Sequence, residues 1–433
     1  MKQYILILFV ALGGFTFCHL LQAQVQPETF VNGDALPDAP ELSPRGTYAV
    51  GVRTVTFVNK GQVDILKSKD GTDPLYDRPL KVEIWYPASL PGGTKELVTY
   101  ESVLGRSNDP KRPVIPFTFT GRAVRDAAPN TRDGVFPLVI VSHGYPGSRY
   151  LLTYLTENLA SKGYVVAAID HTESTYSDLS GFQSTLLNRP KDILFVLNQL
   201  AELSKPKGKH FLSGLADAGN TAIIGYSMGG YGVLNVAGAG YSPQLATFFT
   251  NMTGGSKAIG VRTTQSAQYK ASMDSRIKAV VAFAPWGMER GIWDAEGLQG
   301  LRIPAFFIAG SQDDVSGYEK GVKAIYTGSI NADRYMLVYV NARHNVAPNP
   351  PPAQTFQPGM SMDEYYHYAE PAWNERRINN INQHFVTAFL GIHLKKQDFQ
   401  KYLQPEPDTT KPWPGFKPRT SVGLELLHAS PAK

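Results

Sequence analysis

Hydrophobic and polar positions fall into blocks along this chain, and the blocks change character near residue 135. Before that point, apolar residues come mixed with β-branched and aromatic neighbours. Residues 48–58 and 80–86 read as two strands, an antiparallel pair at the start of the fold. The stretch 87–134 is rich in Pro, Gly, Asn and charge and reads as a long surface excursion. From Pro137 onward, Leu138, Val139, Ile140 and Val141 form an unbroken apolar run of the kind buried on both faces of a parallel sheet. Leu152, Leu155 and Leu159 then recur at helical spacing, and 164–169 is a second buried strand. Pro190 is expected to open a helix whose Ile193, Val196, Leu197 and Leu200 share a face, because a missing N–H has no helical partner at that position. Further strands follow at 222–224, 277–284, 303–309 and 335–340. A last helix carries Ile378, Ile381, Phe385, Phe389 and Ile392 on one stripe. The Pro-rich tail, 395–433, is expected to wrap the surface. Strands alternating with helices in this way predict an α/β fold with a mainly parallel sheet.

Composition narrows the function classes. The chain has 433 residues, 42% of them hydrophobic and 18% charged, enough apolar material for a packed core and too little charge for wholesale disorder. Lys plus Arg number 42 against 37 for Asp plus Glu, and no basic block stands out, so nucleic acid is not an expected partner. The first residues stand apart from the fold. Lys2, the apolar run 5–17 and the sequence Leu21-Gln22-Ala23 have the layout of a signal peptide, with cleavage near Ala23 and export as the outcome. That run is shorter than the roughly 20 residues needed to span a bilayer, and no membrane span is expected elsewhere. Residues 24–433 then form a single domain. Cys18 is the only cysteine, and the bulky Phe17 before it argues against a lipidated cysteine. The exported chain therefore has neither disulfide, thiol nucleophile nor Cys-based metal site.

The strongest chemical signal is Gly225-Tyr226-Ser227-Met228-Gly229-Gly230. It lies where a buried strand ends and a small-residue helix begins, the setting of a nucleophile elbow: a sharp turn that exposes a serine Oγ at a helix N-terminus. A serine hydroxyl needs a base and a group to orient that base. Of the histidines beyond residue 23, His344 is the best placed, on the loop after the strand 335–340. His171 also follows a strand end, but it precedes the serine in the chain. His384 and His393 fall on the last helix, as polar-face or half-buried residues. For the acid, 303–309 leads into Gly310-Ser311-Gln312-Asp313-Asp314-Val315. Asp313 fits by spacing, with Val315 as the apolar anchor; Asp314 is the alternative. The order Ser227, Asp313, His344 is that of α/β-hydrolases. His143-Gly144-Tyr145 follows the strand 137–141, and the amides of Tyr145 and Met228 could hold a tetrahedral oxyanion. His143 is expected to shape that turn rather than act as a base, and no metal-ligand spacing supports a site with His171.

These residues resemble α/β-hydrolases of the dienelactone-hydrolase and platelet-activating-factor-acetylhydrolase kind. The resemblance rests on 48–53, 82–87, Ser142-His143-Gly144 and 159–164, and runs from about 46 to 394 with breaks at 87–134 and 240–275. The elbow, Ala284-Pro285-Trp286 and Gly310-Ser311-Gln312-Asp313 are also similar to bacterial cutinases and polyester hydrolases. That likeness implies a Trp286 lining an acyl pocket beside Tyr145 and Met228. The chain departs from both groups: dienelactone hydrolases use a cysteine nucleophile, and against the polyester enzymes this chain is longer, with large excursions, and lacks their C-terminal cysteines. The expectation is an exported serine esterase, without cofactor or metal, acting on a small or polymeric ester. Its rivals are a cutin or polyester hydrolase, an acyl peptidase, and a catalytically dead copy that binds lipids or partners. The segment 346–370 is expected to be a surface loop, with the alternative that it walls the cleft.

Overall fold

The computed structural model describes residues 30–271, 273–404 and 411–432; the expected signal peptide and Cys18 lie outside them. The early antiparallel pair is present and longer than the apolar pattern indicated. β1 (Ala49–Val63) and β2 (Leu75–Ser89) pair from Ala49↔Ala88 to Val63↔Leu75.

The excursion 87–134 is not simply a surface loop. It contains β3 (Val98–Leu104) and β4 (Ile115–Gly121), which form a separate two-stranded sheet, and the short β5 (Val124–Arg125) and β6 (Ala128–Pro129). Val98, Tyr100, Leu104 and Phe117 are buried. Tyr100 ties the hairpin down, because its Oη accepts from Trp85 Nε1 and donates to Glu157 Oε1, both at 2.7 Å.

The parallel half then follows: β7 (Phe136–Ser142), α1 (Thr153–Ser161), β8 (Val165–Asp170), α2 (Phe182–Leu203), β9 (Ala216–Tyr226) and α3 (Met228–Val236). It continues through β10 (Ile277–Phe283), β11 (Ala305–Gly310), β12 (Arg334–Tyr339) and α4 (Glu375–Lys395). Across the main sheet the strand order is β13-β12-β11-β10-β9-β7-β8-β2-β1-β5, and the central strands run parallel. Here β13 is Leu424–Ala429, antiparallel to β12. The tail after Lys395 therefore supplies an edge strand.

Continuous apolar strands are needed because both faces of the sheet are covered. Leu138 and Ile140 pack with α2 and α3 on one side, through Leu186, Ile193, Leu197 and Tyr231. Val139 and Val141 pack with α1 and α4 on the other, through Leu155, Leu159, Ile381, Phe385 and Phe389. Fully burying one such side chain is worth about 1.5–3 kcal/mol. Ile392 ends the α4 stripe half-buried.

Pro190 is a correction. It does not open α2 but sits inside it, since the helix begins at Phe182. A proline there has no N–H for the carbonyl four residues back. That carbonyl, Leu186 O, is satisfied by Tyr231 Oη of α3 at 2.7 Å, so the local defect in one helix is repaired by its neighbour. No helix among the described residues is long and apolar enough to cross a membrane.

Candidate active site

The turn between β9 and α3 holds Ser227 at φ 54° and ψ −113°, a backbone state that costs on the order of 1–3 kcal/mol for a residue with a side chain. Packing enforces it. A Cβ at Gly225 would lie 2.3 Å from the Gly229 carbonyl, and one at Gly229 would lie 1.9 Å from Ser142 O. The start of α3 is thus pressed against the end of β7. Ser227 N donates to Phe283 O at 2.9 Å, and Ser227 O accepts from the amides of Tyr231 and Trp286 at 3.0 and 3.1 Å.

The loop after β12 brings His344 to this serine, with Nε2 3.0 Å from Ser227 Oγ. His344 Nδ1 lies 3.0 Å from each carboxylate oxygen of Asp313, on the loop after β11. Burial alone would raise the Asp313 carboxyl. The adjacent imidazole and the amides of Ser316 and Val315, which donate to it at 2.9 Å, hold it below the usual range instead. Asp314 points elsewhere, forming an exposed pair with Arg343.

Glu370 is a residue the sequence reading missed. Its two oxygens accept the amides on either side of the histidine, from Arg343 at 2.6 Å and from Asn345 at 2.5 Å. Tyr226 completes the clamp by packing against the His344 ring at 5.2 Å and donating to Asn345 Oδ1 at 2.8 Å. No sequence motif signals a carboxylate whose task is to hold backbone.

His171, the competing histidine, belongs to a second Ser–His–Asp chain. Its Nε2 is 2.9 Å from Ser142 Oγ and its Nδ1 is 3.0 Å from Asp192, which in turn pairs with Arg78. All three members are at most 1% exposed. Burial pushes the His171 ring down to about 3, so it is neutral and structural. Access to solvent, more than the triad distances, separates the two chains. His143 also serves structure: Nδ1 donates to Gly144 O at 2.7 Å and Nε2 accepts from the His171 amide at 3.2 Å. His384 is a correction, since it is wholly buried and accepts from the Leu42 amide. His393 is half-buried, as expected. No group of three or more metal-ligating side chains occurs among the described residues.

Arg189, from α2, sits beneath the turn after β7 at 1% exposure or less and donates to His143 O at 2.6 Å and to Gly144 O at 3.3 Å. In a planar trans peptide the C=O and the following N–H point in opposite directions. With Gly144 O drawn toward Arg189, the Tyr145 amide is turned to the other side of the turn. Met228, as the first residue of α3, has an amide without a helical acceptor.

A cavity of about 410 Å³ opens in front of Ser227 and His344. Tyr145, Tyr226 and Arg343 line it, as do Asp363, Tyr366, His367 and Glu370, so the segment after His344 does wall the cleft. Arg106, from the β3–β4 loop, lines it too. Arg112 Nε donates to Glu364 Oε1 at 2.6 Å and joins these two segments. Trp286 is half-buried beside the turn rather than on this lining. It packs edge-on against Phe182, and Phe182 against Tyr145, with centroids 5.2 Å apart in both pairs.

The sheet order, the elbow and the loops at the carboxyl ends of β9, β11 and β12 define an α/β-hydrolase fold. Residues 115–195 match the family described as platelet-activating factor acetylhydrolase, isoform II. A bis(hydroxyethyl) terephthalate hydrolase of Streptomyces coelicolor is 31% identical over 117 residues, 27% of this chain and 33% of that protein. Cutinase est2 of Thermobifida alba is 29% identical over 217 residues, 50% of this chain and 55% of the cutinase. The chain thus spans between a third and just over half of these curated relatives. A ferulic acid esterase from Streptomyces cinnamoneus superposes with a TM-score of 0.55 at 19% identity, covering 90% of this chain and 99% of that one.

Proposed function

We propose that this chain is an exported serine esterase. The observation that carries the reading is the continuous chain from Ser227 Oγ through His344 to Asp313, with both links at 3.0 Å, open to a cavity. In this reading Ser227 attacks an ester carbonyl while His344 Nε2 accepts its proton. Asp313 keeps the other ring proton on Nδ1 and stabilises the imidazolium. The Tyr145 and Met228 amides receive the oxyanion. His344 returns the proton to the departing alcohol, and water cleaves the acyl-enzyme by the same steps. The chemistry calls on no cofactor. Cleavage near Ala23 would release the enzyme for export.

A second reading, a cutin or polyester hydrolase, is favoured by the names of the relatives and by the Tyr145–Phe182–Trp286 aromatic row beside the elbow. In that reading Trp286 bears on the acyl group only through Phe182 and Tyr145, the member of the row that lines the cavity. The test is labelling with a fluorophosphonate probe, which should modify the folded protein and fail on Ser227→Ala. A folded protein that stays unlabelled would instead support a catalytically dead, lipid-binding copy.

A further inference from the structure

The cavity in front of Ser227 holds one cation that no described residue answers. Arg106 lines it beside Tyr145, Pro146 and His367. Its guanidinium makes no hydrogen bond or ion pair among the described residues, and its Nε is shut off from solvent with no acceptor. A buried donor left unmet is destabilising, so a bound acceptor there is favoured. The other charges of the cleft are engaged. Arg343 pairs with Asp314, Asp363 lies 3.8 Å from Arg112, and Glu370 holds two backbone amides. His367, whose Nε2 is also buried without a partner, is pushed down to about 4 by burial and then by Arg106 and Arg112, so it adds no charge.

We propose that Arg106 anchors a carboxylate on the substrate, so that the preferred substrates are esters carrying a free carboxylate away from the scissile bond. This rests on the esterase reading of the same cleft and adds its substrate class. A guanidinium presents a planar fork that matches a carboxylate. The surrounding Asp314, Asp363 and Glu370 disfavour a dianion such as a phosphate monoester, while a monoanion needs only the one cation. At about 410 Å³ the cavity falls within the roughly 300–1,000 Å³ typical of small-ligand sites. Arg106 arrives on the β3–β4 loop, outside the parallel half of the sheet that carries Ser227, Asp313 and His344.

Two ester pairs test this, one with the charge on each side of the bond: mono(4-nitrophenyl) adipate and 4-acetoxybenzoate, each against its methyl-capped form. For Arg106→Gln the ratio of kcat/KM for the carboxylate over the capped ester should fall about 10- to 100-fold in at least one pair, mainly through KM. Arg106→Lys should recover part of it, since it keeps the charge and loses the fork. Unchanged ratios in both pairs, in variants that melt like the parent, would overturn the proposal. A separate arm needs no turnover: calorimetric titration of Ser227→Ala with 4-acetamidobenzoate and with its methyl ester. Binding that needs both the carboxylate and Arg106 supports the anchor even if no ester is cleaved, which would sink the esterase reading alone. Absence of such binding counts against the anchor even in an active esterase.

Discussion

Replacing Asp313 by Asn keeps the shape of the side chain and removes the charge that the esterase reading asks of it. Oδ1 of Asp313 accepts the amides of Val315 and Ser316 at 2.9 Å. The asparagine must keep its oxygen at that position, because its NH₂ there would face two donors. Its NH₂ group then takes the place of Oδ2, one of the two oxygens 3.0 Å from His344 Nδ1. An Nδ1–H would crowd that donor and keep only a neutral Oδ1 already shared with two amides. A bare Nδ1 instead accepts from the NH₂, so the ring proton shifts toward Nε2, the atom that takes the Ser227 proton in the esterase reading. A base held in the wrong tautomer loses up to about 10⁴ in kcat, or about 5 kcal/mol of barrier at 1.36 kcal/mol per tenfold. Stability should fall by only about 1–3 kcal/mol, the value of the lost charge-assisted bonds. Asp314→Asn is the matched control. It breaks a pair whose side chains are 46% and 53% exposed, worth about 0.2–1 kcal/mol, and should leave kcat nearly as it was. The assay is saturating hydrolysis of 4-nitrophenyl acetate, with a thermal melt of each variant. A large loss in Asp314→Asn with near-normal Asp313→Asn would refute the assignment, and equal mild losses in both would deny either aspartate the role.

Arg189→Met should lower kcat by about 10²-fold or more with little change in KM, because the turn carrying the Tyr145 amide loses the cation that orients its carbonyls. A change confined to KM would show that Arg189 does not act through that turn. Tyr231→Phe should cost about 1–3 kcal/mol in denaturant unfolding, since Leu186 O is left without a donor beside Pro190; a loss near zero would mean that the carbonyl has another partner. Glu157, wholly buried beneath the β3–β4 hairpin, is pushed up to about 7 by desolvation against donors from Arg122 and Tyr100. A carboxyl raised in the folded state loses stability as pH rises from its unfolded value to its folded one. Unfolding free energy should therefore decline by about 3 kcal/mol between pH 4.5 and 7 from this group, taking 1.36 kcal/mol per unit. Glu157→Gln should flatten that slope, and an unchanged slope would assign it to another group.

The parallel half of the fold was legible because strands buried on both faces must be continuously apolar, and 137–141 could be little else. The elbow was legible because a strained serine needs glycines at fixed offsets. The hairpin β3–β4 was not: its alternation of Val98, Tyr100 and Phe117 with polar neighbours is short and set among the prolines and glycines that mark loops. Pro190 misled for a different reason. The hydroxyl that satisfies Leu186 O comes from Tyr231, on a helix some forty residues away, and no local pattern carries that information. Glu370 and Arg189 hold backbone groups, which look alike in every sequence. The buried Ser142–His171–Asp192 chain shows the complementary limit. Residue types and geometry that suggest catalysis also build core, and only access to the cleft tells them apart.

β13 lies along the outer side of β12 in register from Arg334↔Ala429 to Tyr339↔Leu424, and Gly423 O accepts from the Val340 amide at 2.8 Å. Without that cover β12 would be an open apolar edge, with a row of free donors and acceptors ready to pair with another chain. The same strand leads into the loop that carries His344. A protease that removed the residues after 420 would therefore damage solubility and chemistry in one cut: the exposed edge would seed aggregation, while the histidine loop would lose the strand that steadies its base. If β13 shields that edge, its loss should be readable as self-association by light scattering before any substrate is added.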